Sequence, residues 1–157
     1  MRIDFVASCK SFVVSIMNAK PKSAYEKAGG MTYFPRMLDK IRLHAQGDLH
    51  PEYHSNLGLP IGADGLCCRF LRVAYSDLKG RVLKGGTDEE ILTWCFEKGR
   101  RLDETDLMIW NEFNRKLGWN DRATALLQKL KTRSGLANRD DIVTMVDYFD
   151  VDEGRKP

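Results

Sequence analysis

The sequence predicts an all-α fold, an irregular multi-helix domain of about six to seven short helices. Three observations point there. Apolar residues recur at i, i+3 and i+4 in stretch after stretch from about residue 32 to 149. Glycines and capping residues punctuate those stretches. No two alternating apolar runs face each other across a turn as a strand pair does. The composition, 43% hydrophobic, 30% charged and 10% aromatic over 157 residues, suits one compact domain. It excludes a disordered polymer, and no 18-residue uncharged apolar run exists to span a bilayer. A cytoplasmic protein without a membrane partner is expected.

Residues 1–20 stand apart. Phe5 to Met17 is apolar, but Lys10 interrupts it and no small-residue cleavage site follows, so a signal peptide is not expected. It reads as an apolar N-terminal extension, with Met17 as an alternative start, because the polar stretch Asn18 to Ser23, broken by Pro21, separates it from the rest. The single α-helical domain then occupies residues 21–157.

The elements follow in order. Ser23 opens a short turn over Ala24, Tyr25 and Glu26 that Gly29 and Gly30 stop. From about Thr32 to Gln46, Phe34, Met37, Leu38, Ile41 and Ala45 share a helix face, Pro35 fits only in the first turn, and Gly47 ends the run. A long loop, Asp48 to Ala63, carries two histidines and two prolines, and connections of that length are often functional. Short helices are expected over Asp64 to Val73 and Ser76 to Lys84. Thr87 and Glu90 form a capping box ahead of Ile91, Leu92, Cys95 and Phe96. Asp103 caps a helix whose inward stripe is Leu107, Trp110, Phe113 and Leu117. Asn120 or Asp121 opens the next, with Leu126, Leu127 and Leu130 inward. The last stripe, Ile142, Met145, Val146 and Phe149, follows Asp140 and Asp141, whose charges suit a helix N-terminus.

Charge is unevenly placed. Lys and Arg number 25 against 22 Asp and Glu, net +3, yet residues 140–157 hold two basic and six acidic side chains, so an acidic end is expected to fold back on a basic body. The stretch Arg115 to Arg139 holds Arg115, Lys116, Arg122, Lys129, Lys131, Arg133 and Arg139 against Asp121 alone. That is a phosphate-binding pattern, but with the low net charge and no recognisable nucleic-acid motif, nucleic acid is not the expected partner. Cys9, Cys67, Cys68 and Cys95 show neither disulfide-scaffold nor two-knuckle zinc spacing, and small buried hydrophobes are expected. A helix-start Cys67 or Cys68 as nucleophile is the less favoured alternative.

Two groups carry candidate chemistry. Arg36, Asp39, Lys40 and Arg42 lie within two turns of the first long helix, and like charges at Arg36 and Lys40 call for an anion or a carboxylate between them. Arg36 and Arg42 are the expected anion holders, with Asp39 able to neutralise them internally. In the loop, His50 and His54 lie four apart around Glu52 and Tyr53, a spacing that puts two imidazoles on one side of a helical turn for a divalent metal, although a third protein ligand is needed. The closing Asp147, Asp150, Asp152 and Glu153 lack the spacing of a calcium loop.

Gly29-Gly30-Met-Thr-Tyr-Phe-Pro35-Arg36-x-x-Asp39-Lys40-x-Arg42, then Glu52-Tyr53, Asp88-Glu-Glu-x-Leu-x-Trp94 and Asp147-x-x-Asp150-x-Asp152-Glu153-Gly154-Arg155 resemble a small bacterial family known only as a domain of unknown function. The resemblance spans about residues 21–155. It implies a bacterial domain and carries no activity or cofactor with it. The expected function is binding of a small anionic ligand or a protein partner through Arg36, Asp39, Arg42 and Tyr53. A metal-dependent enzyme using His50 and His54 and a self-associating structural module are the alternatives.

Overall fold

The computed structural model describes residues 18–157. The expectations of an apolar extension and of a start at Met17 fall on residues 1–17, outside the described residues. Already at Ala19 the chain is tied to the body. Its N–H donates to Asp48 O at 2.7 Å and its carbonyl accepts from His50 N–H at 3.3 Å, a parallel bridge to Leu49.

The architecture is mostly helical, as the apolar periodicity requires. A two-stranded hairpin, β1 (Lys27–Ala28) and β2 (Met31–Thr32), precedes α1 (Phe34–Gln46). A 3₁₀ turn over Pro51–Asn56 leads to α2 (Ala63–Leu71), α3 (Tyr75–Leu83), α4 (Asp88–Lys98), α5 (Glu104–Lys116), α6 (Thr124–Arg133) and α7 (Met145–Asp152).

The hairpin corrects the expectation that no strand pair forms. Gly29 and Gly30 have φ of 52° and 82°, the two positive values of a tight type I′ hairpin turn, so they reverse a ladder instead of ending a helix. Two-residue strands are too short to show alternation. What holds them is α5: Asn111 Oδ1 accepts from the Thr32 backbone and hydroxyl at 3.0 and 2.9 Å, Asn111 Nδ2 donates to Gly30 O at 2.8 Å, and Trp110 Nε1–H donates to Thr32 O at 2.8 Å.

Side-chain capping sets three of the α-helix starts, those of α4, α5 and α7. Thr87 with Glu90 and Asp103 with Asp106 both close reciprocal capping boxes. The last helix departs from expectation, beginning at Met145 under a Thr144 cap and not at Asp140 or Asp141. Asp141 is taken by the Arg139 guanidinium at 2.7 and 2.8 Å, while Ile142 N–H turns back onto Arg139 O at 3.2 Å and Lys131 Nζ clamps that turn by donating to Arg139 O and Ile142 O at 2.7 and 3.1 Å.

The main core gathers Phe34, Met37, Leu38 and Ile41 of α1 with Cys67, Leu71, Leu78, Val82, Ile91, Cys95 and Trp110. A smaller cluster of Leu127, Ile142, Met145 and Tyr148 lies under α6 and α7, and Phe149 packs on both. On α5 the inward positions are Trp110 and Asn114, whose amide reaches Ala24 O and Thr32 Oγ1. Phe113, one position before Asn114, is thereby rotated about 100° away and left 39% exposed, where the apolar stripe placed it inside.

Candidate functional site

The polar face predicted for α1 divides between the interior and two surface neighbours. Arg36 is buried at 2% exposure and bonds Glu153 through its two terminal nitrogens, Nη2 at 2.5 Å and Nη1 at 3.0 Å, while Nη1 also donates to Lys22 O at 2.7 Å. Tyr53, brought in by the 3₁₀ turn, donates to the same carboxylate at 2.7 Å, and Arg155 closes on it as well. Arg36 and Tyr53 do meet, with the guanidinium 5.7 Å from the ring centroid, but the space between them is filled by Glu153. Burial pushes the Glu153 carboxyl up; the bonds and charge of Arg36, aided by Tyr53 and Arg155, outweigh that and hold it below the usual range.

Asp39 takes neither arginine. It accepts from the Lys22 backbone N–H at 2.9 Å. Lys40, expected on the solvated face, is 3% exposed and pairs with buried Asp64 at 2.7 Å beside the Tyr33 hydroxyl. Arg42 turns the other way, onto Asp88 at 2.6 Å, which Lys22 also grips at 3.2 Å. These two cations line a hollow of about 430 Å³ with Lys27, Glu26, Glu89 and the loop at Gly86. Three cations face three carboxylates there, so the hollow holds little net charge for an anion.

His50 and His54 flank Tyr53 in the 3₁₀ turn. The His50 Nδ1 accepts from Glu52 N–H at 3.4 Å, and His54 Nε2–H donates to Leu49 O at 3.1 Å. His44 lies edge-on to His54 with ring centroids 4.9 Å apart. Among the described residues no three His, Cys, Asp or Glu side chains converge as a metal ion requires. The alternative third ligands, Cys67 and Cys68, are in the core, where burial pushes both thiols up, that of Cys68 to about 12. The same shift opposes a nucleophilic thiolate.

The basic stretch Arg115 to Arg139 divides: Lys131 goes inside, Arg115, Lys116 and Arg139 pair at the surface, and Arg122, Lys129 and Arg133 are exposed without an ion pair among the described residues. Arg115 and Lys116 both pair with Glu112 at 2.7 Å, Lys131 is buried on backbone carbonyls, and Arg139 holds Asp141. The acidic C-terminal segment folds back on the body, with Asp147 on the Tyr25 hydroxyl, Asp150 on the Ser23 hydroxyl and Glu153 on the Arg36 guanidinium, while Lys156 and Arg155 of the segment itself pair with its own acids.

A different feature emerges between α2 and α5, a cleft of about 500 Å³ lined by Leu66, Arg69, Phe70, Arg72, Arg100, Ile109, Trp110 and Phe113. Its floor is a run of tilted rings, Phe70 on Trp110 at 5.1 Å and Trp110 on Phe113 at 5.8 Å. The rim is cationic, and local backbone chemistry builds it. Arg69 ends α2, and Arg72 caps that helix in the left-handed region at φ 56°, costly for a side chain with a Cβ. The chain leaving α4 is pinned alongside, since Arg100 N–H donates to Leu71 O at 3.0 Å. Gly99 permits that approach: a Cβ there would come within 2.7 Å of Arg72 O and closer still to Leu71 O.

Arg100 stacks 4.7 Å above Phe70 and is anchored by Asp106 at 2.5 Å. Arg69 and Arg72 carry no ion pair among the described residues. Sequence reasoning passed over this group because its members are thirty residues apart, on α2 and after α4. The available signal was Arg69 beside Phe70 with Arg72 one turn on, at a helix end without a glycine.

No curated protein matches the chain. Residues 18–155 match a family model described as Domain of unknown function (DUF5069). That match spans nearly every described residue, from the Ala19 bridge to the Glu153 and Arg155 contacts, and the chain belongs to this family.

Proposed function

We propose that this domain is a binding module for an organic anion with an apolar or aromatic body, seated in the cleft between α2 and α5. One observation carries the reading: Arg69 and Arg72 stand at the rim of an aromatic floor with no carboxylate among the described residues to answer them. A guanidinium fork matches a carboxylate or phosphate in plane and is weakly hydrated, so it favours an anion delivered beside apolar surface. The floor then takes the remainder of the ligand, and the cleft volume falls within the roughly 300–1,000 Å³ of small-molecule sites. The anion-binding role expected of Arg36, Asp39, Arg42 and Tyr53 is reassigned to Arg69, Arg72 and Arg100, because the first group already has partners: Glu153 for Arg36 and Tyr53, the Lys22 backbone for Asp39, and Asp88 for Arg42.

Thermal melting tests this. The protein is scanned with 3-phenylpropionate, octanoate, benzyl alcohol and inorganic phosphate. The aryl or alkyl carboxylates raise Tm by several degrees at a hundredfold excess over Kd, where linkage supplies about 2.7 kcal/mol. Benzyl alcohol, which lacks the charge, and phosphate, which lacks the body, do less. Arg69→Ala with Arg72→Ala abolishes the shift, and Arg42→Ala leaves it. Equal shifts in wild type and the double variant overturn the proposal.

A further inference from the structure

We infer that the natural occupant of the arginine-rimmed cleft is an acidic segment of a protein partner that inserts one large apolar side chain into the cleft and lays a second over Met108. The inference rests on the binding reading above and adds to it the identity of the ligand as a polypeptide. Three observations carry it. The apolar surface does not stop at the cleft. Ile109 and Phe113, which line it, are 54% and 39% exposed, and Met108, the next position round α5 and outside the cleft, is 59% exposed. A ligand filling the cleft alone leaves that thioether in water, whereas a chain that crosses from the cleft over the outer face of α5, past Ile109, covers it.

The second observation is the sign of the rim. Arg69, Arg72 and Arg100 surround the opening, none of the described residues lining the cleft is acidic, and Asp106 is already bonded to Arg100. An occupant with acidic residues flanking its apolar anchor supplies the missing counter-charges. The third is that a second copy of this chain is a poor fit. Apposing two such faces sets guanidinium against guanidinium, and of the acids on α5 Asp106 is engaged by Arg100 and Glu112 by Arg115 and Lys116, which leaves each copy only Glu104 to offer among the described residues of that helix.

The full chain is used to select from a displayed library of random 12-residue peptides, with counter-selection on the variant carrying Arg69→Glu and Arg72→Glu. Winners are measured by fluorescence anisotropy, and 3-phenylpropionate is followed in parallel by thermal shift. The expected consensus is two large apolar residues three or four apart with Asp or Glu beside them. The charge-reversed variant weakens these peptides at least tenfold. Met108→Asp weakens them at least fivefold, leaving the 3-phenylpropionate shift and the ligand-free Tm unchanged.

If 3-phenylpropionate binds but selection yields no such consensus, or Met108→Asp leaves peptide affinity intact, the polypeptide inference is overturned and the binding reading stands. If neither peptide nor 3-phenylpropionate binds, both fall. A mass that doubles with concentration in light scattering, abolished by Met108→Asp, assigns the strip to self-association and likewise overturns the inference.

Discussion

Glu153 receives Arg36, Tyr53 and Arg155 at one buried carboxylate, and removing its charge leaves a guanidinium stranded. Breaking one side of a buried pair costs about 3–5 kcal/mol, so Glu153→Gln is expected to lower stability by that order in chemical denaturation. The pH dependence follows from the depressed folded-state carboxyl. Its contribution is complete above the ordinary glutamate value of roughly 4.3 and drains away as pH falls through the folded value, because only the unfolded chain binds the proton at intermediate pH. Between pH 6 and pH 3 the wild type therefore loses more stability than Glu153→Gln, which has no such proton to take up. Parallel acid-melting curves for the two proteins would count against this account. Arg36 and Arg42 illustrate what a residue type alone leaves open: both are α1 arginines six apart, and one is buried on a carboxylate 117 positions away while the other reaches a helix start across the surface.

Helix ends build the cleft, and two substitutions separate stability from binding there. Arg72 holds a left-handed φ that glycine adopts without penalty. Arg72→Gly is expected to raise stability by about 1 kcal/mol while weakening anion binding, a paired outcome that calorimetry and thermal shift together would read. Gly99→Ala does the reverse to the scaffold. Its methyl group would press on the Leu71 and Arg72 carbonyls, costing about 1–3 kcal/mol, and it displaces Arg100 from its seat on Phe70, so ligand-induced stabilisation falls as well. A Gly99→Ala protein with unchanged Tm and unchanged binding contradicts this construction. The helices themselves were legible because capping boxes at Thr87 and Asp103 act over three residues. The hairpin was not, since two residues per strand carry no periodicity and its real support, Asn111 and Trp110, comes from 79 and 78 positions downstream.

At the scale of the whole molecule, Phe149 links the two apolar clusters and couples them. Leu127→Ala, at the centre of the smaller cluster, is expected to cost about 2–5 kcal/mol and to shift a single transition seen alike by far-ultraviolet dichroism and by tryptophan fluorescence. Two separated transitions would mean that the clusters unfold independently. The charge pattern is likewise resolved only in the assembled chain: Lys131 goes inside on carbonyls, two acids of α7 hold Ser23 and Tyr25, and Glu153 just after it holds Arg36.

The sequence by itself determined the helical character, the position of most helices and the capping of several, because those depend on interactions within three or four residues. Tertiary structure alone decided which cations are consumed and which remain open. A guanidinium becomes structural or available according to whether a distant carboxylate arrives beside it: Glu153 arrives at Arg36, and none arrives at Arg69 or Arg72 among the described residues. The aromatic floor was decided in the same way, since Asn114 claims the inward position on α5 and turns Phe113 out to the cleft that the arginines surround.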